Sequence, residues 1–250
     1  MRTLIAGESW ITQSTHIKGV DSFTLSSYVE GVGPLRDALE SKGHTVTHLP
    51  AHAVPESFPH TLEGLDAHDV LVLSDIGANS LLLSRSVMEQ SLSETNRLEL
   101  IAEWVRSGGG LLMVGGYFSF NGLDGRARFG ETPVEDVLPV RCLPGDDRRE
   151  APEGATARVH AAAHPALGAA GERWPLLLGW NRTETRPEAE VLASVAGDPL
   201  VAVREVESGR SAVFTSDCAP HWATPAFCEQ WDGYAELFGG LISWLGAQRN

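Results

Sequence analysis

Residues 108–120, GGGLLMVGGYFSF, constrain what this chain can fold into more than any other stretch. The apolar run Leu111, Leu112, Met113, Val114 is entered from three glycines and left through Gly115 and Gly116. A run that short and that apolar suits a buried central strand ending in a sharp turn. Open α/β sheets bind ligands at such turns, beyond the carboxyl ends of their strands. Glycine there lets the backbone take positive φ or approach a ligand closely. Tyr117, Ser119 and Asn121 follow with polar side chains, but no Cys or Ser lies between the glycines.

The flanking segments set this strand in an α/β series. Residues 3–6 form a first strand, ending in the polar and aromatic cluster Gly7, Glu8, Ser9, Trp10. Residues 15–21, which carry His16, are too short and mixed for a regular element and are expected to loop over the same sheet edge. Over residues 27–42, Val29, Val32, Leu35, Ala38 and Leu39 recur at helical spacing, with Gly43 at the C-cap. Pro34 belongs in a first turn, which starts the helix proper near Val32 or Gly33. Residues 44–49 alternate as a second strand. Pro50 stands between His48 and His52, so the helix needed for a metal pair at that spacing cannot form. Residues 69–74, DVLVLS, are a third strand covered on both faces, followed by Asp75 and Asn79. Leu98, Leu100, Ile101, Trp104 and Val105 share one face of a helix that Asn96 can cap.

Residues 121–160 are rich in Gly, Pro and charge and are expected to be an irregular insertion, with little regular structure beyond residues 133–138, in a single domain spanning 1–250. Within it, the mixed charges of residues 146–150 imply a solvated loop. Residues 191–196, 200–205 and 211–216 are strands, the last two joined as a hairpin, so an antiparallel portion joins the sheet. The last strand opens into Asp217, Cys218, Ala219, Pro220, His221 and Trp222, and an amphipathic helix over residues 234–245 closes the chain.

A net charge of −14 with 19 scattered basic residues argues against nucleic acid and anionic membrane surfaces. Three cysteines without a CxxC pair point to reduced thiols. With no signal-peptide core and no apolar stretch of membrane-spanning length, the expected location is the cytoplasm. The apolar residues around 81–83 look long for a monomer, which implies a homo-oligomer.

Several segments together resemble the glutamine amidotransferase-like family of the class I glutamine amidotransferase-like superfamily, alongside the trehalose-utilisation-like proteins. They are GESW at 7–10, HIKGVDSF at 16–23, SDIGANSLLL at 74–83, residues 96–120, TPVEDVLPV at 132–140 and GRSAVFTSDCAPHW at 209–222. The resemblance implies a flavodoxin-like three-layer sandwich with a mostly parallel central sheet. It also implies a nucleophile elbow after the central strand and a His from the end of a later strand. Glutaminases of that superfamily need a thiolate at the elbow, with the His as its base. Here the elbow falls at Gly115, Gly116 and Tyr117, so glutaminase chemistry does not carry over.

The candidate catalytic residues are His221 as acid/base, Asp217, and Cys218 as a displaced nucleophile. The candidate ligand-binding residues are Glu8, Trp10, His16, Asp75, Asn79, Gly115, Gly116, Tyr117 and Trp222. Neither a cofactor nor a metal is expected. The ligand is a small polar metabolite, with carboxylates and aromatic faces pointing to a sugar-derived or carbonyl-containing one. The alternative is a non-catalytic binding or assembly module with a vestigial crevice.

Overall fold

Alternation along the central strands divides the molecule into layers. The computed structural model describes residues 1–249. Its strands are β1 (Arg2–Gly7), β2 (Ser9–Lys18), β3 (Asp21–Glu30), β4 (Thr45–Leu49), β5 (Val70–Ser74), β6 (Gly110–Val114) and β7 (Val140–Cys142). There follow β8 (Arg148–Ala155), β9 (Ala157–Val159), β10 (Leu177–Asn181), β11 (Thr183–Thr185), β12 (Glu190–Val195), β13 (Asp198–Val206) and β14 (Gly209–Phe214). Eight of them make one sheet in the order β4-β1-β5-β6-β14-β13-β12-β9. The first five are parallel and the rest antiparallel. Taken alone, the parallel strands run 2-1-3-4-5, the flavodoxin-like order.

Because side chains alternate across a strand, each parallel strand feeds two cores. Leu4, Leu71, Leu73, Leu111, Met113 and Val213 pack on one face with the helix Arg97–Arg106. Ile5, Val70, Val72, Leu112, Val114 and Phe214 pack on the other with helices Gly33–Ser41 and Gly233–Gly246. That is the three-layer sandwich expected. Asn96 caps its helix as expected, its Oδ1 accepting from the N–H groups of Leu98 and Glu99. No helix of the described residues is long and apolar enough to cross a membrane.

Three expectations are corrected. Residues 15–21 are not a loop: β2 and β3 form an antiparallel ribbon in which Thr15 faces Thr24 and His16 stacks on Phe23, with ring centroids 4.8 Å apart. The helix proper starts at Gly33, where Pro34 in its first turn placed it, and runs Gly33–Ser41; residues 27–30 ahead of it belong to β3, where Tyr28 and Val29 pair across the ribbon with Ile11 and Trp10. Residues 121–160 are largely regular. Beside the regular segment expected at 133–138, which is the helix Pro133–Val137, they hold β7, β8 and β9, which pair with β11, β10 and β12. Residues 81–83 are not an apolar loop: Leu81 and Leu82 end the helix Ala78–Leu82, with Leu81 fully buried in the core, and only Leu83 is exposed.

Leu112 has no exposure and sits mid-strand in the central sheet. Leu112→Ala is expected to cost about 2–5 kcal/mol, read as a lowered urea midpoint at unchanged slope.

Candidate active site

Two neighbouring parallel strands end in the same unusual way. Beyond β1, Glu8 has φ 49°, and beyond β5, Asp75 has φ 45°. Left-handed backbone costs a residue with a Cβ roughly 1–2 kcal/mol, and such strain gathers at functional sites. Gly7 makes the first turn possible. At its φ of 108° a Cβ would lie 2.0 Å from the Ser74 carbonyl oxygen, so only glycine fits. The two turns aim carboxylates into a cavity of about 400 Å³, lined also by Trp10, Tyr117, Phe118, Asp217, Ala219, Pro220 and His221.

Glu8 is buried, and its Oε2 accepts a 2.5 Å hydrogen bond from the Ser74 hydroxyl. Burial, with the Asp217 and Asp75 carboxylates nearby, pushes its pKa up to about 8. Asp75 is held by the Phe118 N–H on Oδ1 at 2.7 Å, while its own N–H donates to Ser119 Oγ. Burial raises Asp75 to about 6. Asp217 Oδ2 meets His221 Nδ1 at 3.2 Å, and that hydrogen bond raises the histidine above its ordinary range. At neutral pH the cavity therefore holds a protonated glutamic acid beside an ionised aspartate.

The elbow beyond β6 is built without a nucleophile. The Gly116 N–H donates to Asn181 Oδ1 at 3.0 Å, and Asn181 Nδ2 donates to the Gly116 carbonyl and to Asp147 Oδ1. Asp147 also takes the N–H groups of Asn121 and Gly122. A Cβ on Gly116 would lie 2.8 Å from Asp75 Oδ1. The aspartate therefore occupies the space into which an elbow thiol would project.

Of the residues expected in the crevice, Glu8, Trp10, Asp75, Tyr117, Asp217 and His221 line one cavity. Gly115 and Gly116 lie behind it as backbone. Trp222 is buried, stacks on His221 at 5.6 Å and donates to Glu150, so it backs the imidazole and does not touch the cavity. His16 lies out on the ribbon and Asn79 is exposed on the helix Ala78–Leu82; neither joins the cavity. Cys218 is fully buried beneath it, its thiol pushed well up by burial and by Glu8, which leaves it protonated and a poor nucleophile.

Glu8, Asp217 and Cys218 bring ligand atoms within 4.8 Å of one another. A cation there would have to displace protons from both Glu8 and Cys218. Asn181 and Asp147 went unpredicted as site residues. Residues 146–150 are no solvated loop: Asp147 is buried, Arg148 lies over the Tyr117 ring at 4.6 Å, and Glu150 accepts from the Tyr117 hydroxyl.

The profile of the family described as "Putative glutamine amidotransferase" matches residues 2–247. The chain belongs to this family. Among solved structures it is similar to the cytoplasmic protein STM3548 from Salmonella typhimurium, at 40% identity and TM-score 0.94, covering 98% of this chain and 99% of that one. The cytoplasmic protein STM1381 from Salmonella typhimurium LT2 matches at 40% identity and TM-score 0.93, with the same coverage. A ThuA-like protein from Parabacteroides merdae shares the fold at 12% identity and TM-score 0.55, covering 98% of this chain and 89% of that one. No curated protein matches the chain.

Glu8 gives this family member a measurable pH signature. Its folded pKa of about 8 lies above the ordinary 4.5, so the native state holds the proton that the unfolded chain releases. Stability is therefore full below about pH 4.5 and falls as pH rises toward 8, by at most about 5 kcal/mol from this group. Glu8→Gln, neutral throughout, is expected to flatten the urea-midpoint profile between those pH values.

Proposed function

We propose that this chain is an enzyme of the amidotransferase-like superfamily that lacks glutaminase activity. It converts a small polar metabolite, sugar-derived or carbonyl-containing, by acid–base chemistry in the strand-end cavity. The observation that carries this is the pair of left-handed carboxylate residues, Glu8 and Asp75, facing Asp217 and His221 across one cavity. Two groups whose surroundings push their proton affinities apart can take separate acid and base roles. Glu8, near 8, retains a proton to give; Asp75, near 6, is ionised and can accept one.

In a substrate bearing a hydroxyl beside a carbonyl, Asp75 removes the proton from the carbon between them. The electron pair moves toward the carbonyl oxygen, which takes the proton of Glu8. The product is a neutral enediol, and His221 stands where it can hydrogen-bond either oxygen. Trp10 and Tyr117 supply aromatic faces for a sugar-like body. The glycine elbow, with Asp75 filling the thiol's place, supports the loss of glutaminase chemistry. The names of the two Salmonella relatives support a cytoplasmic location.

Thermal unfolding of wild type and His221→Ala against glutamine, sugars, sugar acids and divalent metals tests the reading. A true ligand at 100 times its Kd adds about 2.7 kcal/mol to wild type, and His221→Ala loses that gain. With a substrate in hand, Asp75→Asn is expected to lower kcat/KM by roughly 10²–10⁴-fold. A flat panel, or a stabilising ligand that is bound without turnover and equally well by His221→Ala, favours a binding module with a vestigial crevice. Ammonia release from glutamine would overturn the proposal.

A further inference from the structure

The strand-end cavity is richer in hydrogen-bond acceptors than in donors, and that imbalance restricts the charge of what it can hold. Among the described residues that line it, Glu8, Asp75 and Asp217 are acids, and none is Lys or Arg. Only His221 can carry positive charge there, and its Nδ1 lies 3.2 Å from Asp217 Oδ2, so a carboxylate already balances it. Arg148 packs over the Tyr117 ring at 4.6 Å, yet its guanidinium is bound to Asp146 at 2.8 Å and stands 3.7 Å from Glu150. An incoming anion therefore meets no unpaired cation on the cavity wall.

Backbone amides do not supply what the side chains lack. Open α/β sheets hold phosphate on free N–H groups in the turns and helix starts beyond their strands. Here the amides of those turns are engaged within the protein. The N–H of Glu8 donates to the Ser74 carbonyl, that of Asp75 to Ser119 Oγ and that of Gly116 to Asn181 Oδ1. Those of Phe118 and Ala219 hold Asp75 and Asp217, the carboxylates of the cavity itself. The helix Ala78–Leu82 that follows Asp75 starts with the Ala78 N–H on the Ala127 carbonyl.

What is left suits hydroxyl groups and one carbonyl. Ser74 donates to Glu8 Oε2, which leaves the proton of the glutamic acid on Oε1 to meet a ligand oxygen. Asp75 and Asp217 keep lone pairs for hydroxyl donors, and Trp10, Tyr117 and Phe118 give apolar faces to C–H groups. A further negative charge beside these carboxylates would be buried unpaired, and the chain's net charge of −14 adds to the repulsion. At about 400 Å³ the cavity is near the small end of ligand pockets, which run from about 300 to 1,000 Å³.

We propose that the cavity selects an uncharged, unphosphorylated monosaccharide in its carbonyl form and rejects the phosphate ester and the acid of the same sugar. This rests on reading the cavity as the site of reaction, and adds the charge of the substrate to that reading.

Isothermal titration calorimetry on the full chain with matched probes tests it. The probes are fructose, xylulose and mannose, each beside its terminal phosphate ester, with mannonate beside mannose. A neutral sugar is expected to bind, and its ester or acid to bind at least about 100-fold more weakly at neutral pH and low salt. Phe118 is on the cavity wall and 38% exposed, so an arginine there brings in a guanidinium without opening the core. Phe118→Arg is expected to narrow the gap between sugar and ester at least about tenfold. If that variant does not fold, wild-type titrations in about 1 M salt decide, since screening must narrow the same gap. An ester or acid that binds wild type as tightly as its neutral sugar overturns the proposal and leaves acid–base chemistry in the cavity standing. A gap that neither the folded variant nor salt narrows overturns it too, because discrimination is then by shape. A panel in which nothing binds overturns both this proposal and the reading it rests on.

Discussion

Two parallel strands that end side by side on left-handed carboxylate residues are the constraint on which the rest of this structure depends. β1 and β5 are paired in register, Gly7 opposite Ser74, so Glu8 and Asp75 emerge together. Their turns hold only because the Glu8 N–H donates to the Ser74 carbonyl at 2.8 Å and the Ser74 hydroxyl reaches the Glu8 carboxyl. Burying two acids beside a third is unfavourable unless some stay protonated or are hydrogen-bonded. The cores on both faces of the sheet offset that strain and charge, as they do around many active sites.

The same constraint accounts for what separates this chain from thiol glutaminases on related folds. A nucleophile elbow concentrates strain in one residue after one strand. Here the strain sits on the two strands before it in the sheet, and the elbow itself is relaxed into glycine. The Asn181 amide then fixes the glycine backbone from behind, with Asp147 fixing Asn181. What this end of the sheet presents is a pair of carboxyl groups in opposite protonation states, with no thiol at the elbow.

Much of this was legible in the residues and some was not. β5 and β6 could be read because a strand buried on both faces is an uninterrupted apolar run, and Glu8, Asp75, Asp217 and His221 because each stands just past such a run. The ribbon was illegible because neither face is buried, so Ser and Thr interleave with apolar residues without a clean period. β8 and β9 were obscured by distance, since Arg148 pairs with Asn181 and Ala157 with Val195. Asp147 sits in a charged run, yet its partners are backbone N–H groups and an amide from other segments. No local pattern announces a carboxylate satisfied in that way.

β14 lies between β6 and β13 although it comes near the chain's end, and it delivers Asp217 and His221. During synthesis, β6 must therefore wait with one edge unpaired until some hundred further residues have left the ribosome. An exposed, wholly apolar strand edge is the part of a nascent chain that invites pairing with the wrong neighbour. The last strand to arrive thus closes the sheet and completes the cavity in one event, so a truncated product carries both an open edge and half a site.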